Sequence, residues 1–131
     1  MKKLLTIVVL SLFLTNNVFA TVYFCSEIDS RGFAGAKDNR EPRNYILSKF
    51  KAKITFEPKR FSSNDLGITW NNMSCLGSPS QKYSMTCSNY MGDVITIDGS
   101  QNNENFFKFN KAMTFGRGDD LILSHGTCEK F

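Results

Sequence analysis

Lys49-Phe50-Lys51-Ala52-Lys53-Ile54-Thr55-Phe56-Glu57 decides the fold class. Phe50, Ala52, Ile54 and Phe56 take alternate positions, and Lys49, Lys51, Lys53, Thr55 and Glu57 fill the places between. A period of two puts the first set on one side of a β-strand and the second on the other. One side therefore meets a core and the other meets water. Pro58 has no N–H to donate, so it ends regular pairing or confines it to an edge.

The same alternation recurs on both sides of this stretch. Val22 to Glu27 is a first strand that Ile28 extends by one residue. Leu66 to Asn71 is a short strand with Ile68 and Trp70 together, and Lys82 to Cys87 groups Tyr83, Met85 and Cys87. Asp93 to Asp98 turns Ile95 and Ile97 inward. Asn105 to Phe115 sets Phe107, Phe109, Met113 and Phe115 on one side, but Lys111 interrupts that side, leaving one strand or two. Leu121 to Cys128 closes the chain with Leu121, Leu123 and His125 sharing a face. Turn residues separate these runs at Phe61 to Asp65, Gly77 to Ser80, Met91 to Asp93 and Gly116 to Asp120. The polar stretch from Asp29 to Asn44 reads as a long loop, with one helical turn near Pro42 to Leu47.

About seven to eight short strands joined by turns predict a mostly β protein, a small antiparallel barrel or sandwich. A barrel of about eight strands is either filled by side chains or holds one small ligand. Ten Phe, four Tyr and one Trp after residue 20 favour a filled interior.

The chain opens with the pattern of a cleaved export signal, Met1 to Ala20. Lys2 and Lys3 precede an apolar run from Leu4 to Leu14, Thr15-Asn16-Asn17 breaks it, and Val18-Phe19-Ala20 fits a small-residue cleavage site. The run is short for a membrane span, which needs about 20 apolar residues. Residues 21–131 then form one domain in the periplasm or outside the cell, without a membrane anchor. Removing Lys2 and Lys3 from 16 basic residues leaves 14 against 12 acids, a charge near +2. Nucleic-acid and anionic-membrane binders usually carry a larger and more clustered excess, so the charge argues for neither, and no nucleic-acid partner is expected.

Export implies an oxidising compartment, and there Cys25, Cys75, Cys87 and Cys128 read as two disulfides. Three pairings are possible. Cys25–Cys128 and Cys75–Cys87 are favoured: the first ties the opening strand to the closing one, the second staples neighbouring segments. Free buried thiols are the alternative. Zinc is disfavoured, because the cysteines lack paired C-x-x-C spacing and His125 is the only histidine.

Few residues suggest chemistry. The motifs of an α/β-hydrolase elbow, a phosphate-binding loop, a dinucleotide site and an H-E-x-x-H zinc site are all missing. His125 reads as a partly buried, hydrogen-bonded strand residue. Two acid pairs, Asp119-Asp120 in a turn and Glu27 with Asp29 at a strand end, are the only candidates for carboxylate-based hydrolysis. Arg117-Gly118-Asp119 spells an adhesion tripeptide but reads as a tight turn, which requires Gly and Asp. Asn72-Met73-Ser74 matches a glycosylation acceptor; the bacterial style of the leader predicts no sugar. The Asp29 to Asn39 stretch has calcium-type donors without the spacing of a calcium loop. Lys49, Lys51 and Lys53 form a basic row that guards a sheet edge or, alternatively, meets an anionic surface or polymer. No catalytic residue, metal ligand or cofactor is expected.

Val22-Tyr23-Phe24-Cys25, Phe50-Lys51-Ala52-Lys53-Ile54-Thr55-Phe56 and Gly126-Thr127-Cys128-Glu129-Lys130-Phe131 resemble short exported proteins of marine bacteria to which no function is assigned. The opening Tyr23-Phe24-Cys25 with a late cysteine is also similar to periplasmic inhibitors of C-type lysozyme, which are small β-barrels. The serine-containing loop of that family has only Ser80-Gln81-Lys82-Tyr83 as a counterpart here. That resemblance implies inhibition of a lysozyme; more generally a monomeric, non-enzymatic protein that binds another macromolecule or a small ligand through loops is expected, with the Asp29 to Asn44 stretch the first place to look, because exposed loops on a rigid scaffold often carry recognition. A carrier of a small hydrophobic ligand is the competing expectation, and a carboxylate hydrolase the third.

Overall fold

A computed structural model describes residues 19–36, 39–99, 103–114 and 120–131. The export signal therefore falls almost wholly outside the described residues, as do Arg117-Gly118-Asp119 and Asp38. Nine strands appear among them: β1 (Thr21–Ala36), β2 (Asn39–Asn44), β3 (Lys49–Phe56), β4 (Lys59–Ser62), β5 (Ser74–Leu76), β6 (Met85–Ser88), β7 (Val94–Asp98), β8 (Phe106–Thr114) and β9 (Asp120–Lys130). All pair antiparallel in one sheet of order β4-β3-β1-β9-β8-β7-β6-β5, with β2 paired to β1 alone. Eight strands thus curl into a nearly closed barrel. No described helix is long and apolar enough to cross a membrane.

Phe50, Ala52 and Ile54 are buried as the alternation in β3 requires. They meet Tyr23 and Cys25 of β1, Phe61 of β4, Met85 and Cys87 of β6, Ile95 and Ile97 of β7, Phe107 and Phe109 of β8, and Cys128 of β9. The rings fill the interior. Tyr23 lies 4.8 Å from Phe107, Phe56 lies 5.2 Å from both Phe107 and Tyr83, and Phe50 lies 5.4 Å from Phe109. Tilted and edge-on pairs at these separations add to the area they bury.

Cys25 stands directly opposite Cys128 in the β1–β9 ladder, and Cys75 opposite Cys87 in the β5–β6 ladder. Disulfides join both pairs, across 103 and 12 positions. Two disulfides mark an extracytoplasmic protein.

The barrel is not sealed by a ladder between β4 and β5. Lys59 spans that seam: its ammonium donates to the carbonyls of Gln81 (3.3 Å), Lys82 (3.0 Å) and Ser84 (2.9 Å). Trp70, from the segment between β4 and β5, is buried edge-on to Phe61 at 6.2 Å.

Three local expectations are corrected. The Asp29 to Asn44 stretch is not a loop with a helical turn; β1 runs on to Ala36 and returns as β2, because β9 supplies ladder partners as far as Ala34. Leu66 to Asn71 is not a strand but ends in a 3-10 turn, Ile68–Asn71, which frees the chain to bury Trp70 alone. Pro58 does end β3, as expected, and lies in the β3–β4 turn with a cis Glu57-Pro58 bond; the correction is at Phe61 and Ser62, which belong to strand β4 where a Ser/Asn/Asp turn was read.

Gly126 faces inward opposite Glu27, and a Cβ there would lie 2.0 Å from the Ser26 carbonyl oxygen and 2.8 Å from the Phe109 ring. Backbone cannot yield as a side chain can. Gly126→Ala should lower stability by about 3 kcal/mol, as an overpacked core position does; urea denaturation measures it, and an unchanged midpoint would refute this packing.

Candidate functional site

The site begins with one extra residue. The β1–β9 register slips between Glu27 and Asp29, so Ile28 is a β-bulge. Before the bulge Tyr23, Cys25 and Glu27 point inward; after it Ser30 does. A bulge reverses which residues face the core. Asp29 and Arg31 therefore turn outward, where strict alternation from Cys25 would have buried both.

Four strands carry outward side chains beside them. Cross-strand partners form a polar row, Asp29–His125–Asn110–Thr96, over β1, β9, β8 and β7. The next row, Arg31–Leu123–Ala112–Val94, is mostly apolar. Together they line a groove of about 500 Å3. Arg31 and Leu123 also line a second depression of about 380 Å3 with Phe33, Pro42 and Arg43 of the β1–β2 hairpin. Leu123 is 53% and Phe33 42% exposed, and the two adjoin each other along this depression.

Arg31 Nε donates to Asp29 Oδ1 at 3.2 Å and lies 3.0 Å from Oδ2. This pair is exposed, so it contributes little stability and fixes orientation instead.

Directly beneath the groove lies a charged centre. Lys111 Nζ is 2.6 Å from Glu27 Oε1, and both side chains are 3% exposed. Ser124 Oγ donates to the same oxygen at 2.8 Å, and the Ser48 N–H donates to Oε2 at 2.8 Å. The Lys111 ammonium also sits 5.3 Å from the Phe50 ring centre. Burial raises the carboxyl pKa of Glu27. Its hydrogen bonds from Lys111, Ser48 and Ser124 outweigh that and hold it below the ordinary value of 4.5.

The sign of the pH effect follows. Glu27 in the unfolded chain takes up its proton at higher pH than in the folded one. Its stabilising contribution is whole above a pH of about 4.5 and is lost as pH falls through the lower folded value. As pH falls below about 4.5, stability should decline more steeply in the parent than in Glu27→Gln. Equal acid slopes in denaturation would contradict this.

The expected residues are distributed as follows. Glu27 and Asp29 do not converge: the bulge sends one inward and the other out. Asp119 lies outside the described residues, and Asp120 opens β9. His125 is exposed on the groove, which corrects its expected partial burial. Ser124 and His125 are neighbours in sequence but face opposite sides of β9, so they form no nucleophile–base pair. No cluster of metal-binding side chains exists among the described residues.

The Glu27–Lys111 pair was legible in part. Glu27 shares the inward phase of Tyr23 and Cys25, and Lys111 that of Phe107 and Phe109. Two opposite charges at inward positions of different strands are a pairing signal. The signal needs the strand order, which places β9 between β1 and β8.

The fold and site thus define a disulfide-linked antiparallel β-barrel with a filled interior and a groove on its outer face. Comparison with protein-family models, with curated proteins and with solved structures gives no match.

Proposed function

We propose that the protein is a periplasmic or secreted, non-enzymatic binding protein that engages a macromolecular partner across the outer groove. The observation that carries this reading is the contrast between inside and outside. Rings and the Glu27–Lys111 pair occupy the barrel interior, while a groove of about 500 Å3 opens outward over β1, β9, β8 and β7. An exposed leucine and phenylalanine beside two arginines suit a protein interface, where aromatic and arginine side chains anchor binding.

The filled interior speaks against a carrier of small hydrophobic ligands, which needs a cavity of about 300 Å3 or more within apolar walls. The groove holds a single described carboxylate, Asp29, engaged by Arg31, which speaks against a two-carboxylate hydrolase.

Site-specific photocrosslinking tests the reading. A photoreactive residue at Leu123 in the exported protein should give discrete macromolecular adducts, and the same residue at the exposed Tyr90 should not. Absence of adducts at Leu123 would remove the proposal. The specific form implied by the opening resemblance is inhibition of a C-type lysozyme: the purified protein should slow cell-wall lysis, and Leu123→Arg should relieve it. An undiminished rate removes that form. Titration with a hydrophobic probe should leave Trp70 fluorescence unchanged; a saturable change would favour the carrier.

A further inference from the structure

Edge protection accounts for the lysine row on β3 only in part. β3 pairs with β1 from Lys49 to Ile54 but with β4 only from Lys53 onward, so Lys49 and Lys51 flank a stretch without a ladder on that side, while Lys53 is paired on both. All three are exposed, and none makes an ion pair among the described residues. Their partners on β1 are Ser26, Phe24 and Val22, with no acid opposite any of them. Alternate positions of a strand lie about 7 Å apart, so the row is a stripe of like charge.

Exposed rings adjoin the stripe. Phe24 is 41% and Phe131 86% exposed, and they meet edge-on at 5.0 Å. Phe106, 37% exposed, lies beyond Glu129, which is the β9 partner of Phe24. Two carboxylates border the stripe, Glu129 and Asp65, the latter accepting the Lys51 backbone N–H at 2.7 Å. Lys130 engages the nearby Glu104 at 3.4 Å.

We propose that this face, Lys49, Lys51 and Lys53 with Phe24 and Phe131, docks the protein onto an anionic lipid bilayer. Lysines attract phosphate headgroups, and adjoining apolar rings gain by entering the headgroup boundary. Single-stranded nucleic acid is the other partner that uses cations with aromatic rings, but it needs open ring faces for stacking. Here the Lys51 ammonium lies 5.3 Å over the Phe24 ring, and Phe131 meets that ring edge-on. Contact of this kind is adsorption and requires no membrane-spanning segment.

Co-sedimentation with phosphatidylcholine vesicles, with and without phosphatidylglycerol, tests the proposal on the exported, disulfide-bonded protein. Binding should require phosphatidylglycerol and weaken as salt rises. Replacing Lys49, Lys51 and Lys53 together by Gln should reduce partitioning about a hundredfold, at roughly fivefold for each lysine. Phe131→Ser, at a position too exposed to disturb folding, should reduce it severalfold while the lysines stay intact. Unchanged circular dichroism confirms that both variants are folded. Failure to sediment with anionic vesicles, or full binding by the triple variant, overturns the proposal. Equal affinity for an anionic polysaccharide or single-stranded DNA, indifferent to Phe131→Ser, assigns the stripe to a polymer and also overturns it.

Discussion

Lys111→Ala should lower the unfolding free energy by about 3–5 kcal/mol, the range for breaking a buried ion pair from one side. The loss comes less from the missing attraction than from what remains. Glu27 would stay in the barrel interior with its Ser124 and Ser48 donors but no counter-ion. Removing both charges tests this account. Glu27→Met with Lys111→Met fills similar space with apolar groups, and such replacements are often neutral or stabilising. The double variant should therefore recover most of the loss. Chemical denaturation of the parent, the single variant and the double variant measures all three. A single-variant loss below about 1 kcal/mol would mean that water reaches the pair and that the site is not buried.

The second large effect concerns the clasp between the first and last barrel strands. Breaking Cys25–Cys128 by paired Cys→Ala replacement should reduce stability by about 4–5 kcal/mol, and breaking Cys75–Cys87 by about 2–3 kcal/mol. The difference follows from loop length: one bond closes 103 positions and the other 12. A longer loop removes more freedom from the unfolded chain. A domain of this size holds about 5–15 kcal/mol in total, so loss of the long bridge leaves little reserve at physiological temperature. Urea midpoints of the two paired variants decide the order. If the short bridge proves the more important, unfolded-chain entropy is not the source of the stabilisation.

These effects meet at the bulge. Were Ile28 an ordinary strand residue and not a bulge, Glu27 and Asp29 would share a face, and two carboxylates would compete for one interior. The slip gives Lys111 a single partner and leaves Asp29 to Arg31 outside. The buried pair and the outer groove are thus two sides of one irregularity in β1. Ser48, which donates to Glu27, also accepts the Glu27 N–H at 3.0 Å. That double tie anchors the β2–β3 connection beside the bulge.

Much of the architecture was legible because a period of two is a local property. The inward sets of β3, β7 and β8 could be named from Phe50, Ala52 and Ile54, from Ile95 and Ile97, and from Phe107 and Phe109. Lys111 obscured β8, since a charge in an apolar phase reads as an interruption until its partner is known. The β1–β2 hairpin escaped notice because Gly32, Gly35 and Pro42 carry turn chemistry. Gly32 becomes strand with β9 alongside, and Gly35 and Pro42 through the β1–β2 pairing that continues from it. The groove escaped for the same reason: Asp29, His125, Asn110 and Thr96 are scattered in sequence and meet only through register.

By itself, then, the order of residues determined an antiparallel β protein with a ring-filled core and sulfurs placed to cross-link it. Alternation and cysteine count act over a few neighbours and need no knowledge of distant chain. Tertiary structure alone decided which strands adjoin, where one extra residue reverses the faces, and which charges end inside. Each of those depends on contacts between segments up to a hundred positions apart, and no local period encodes them.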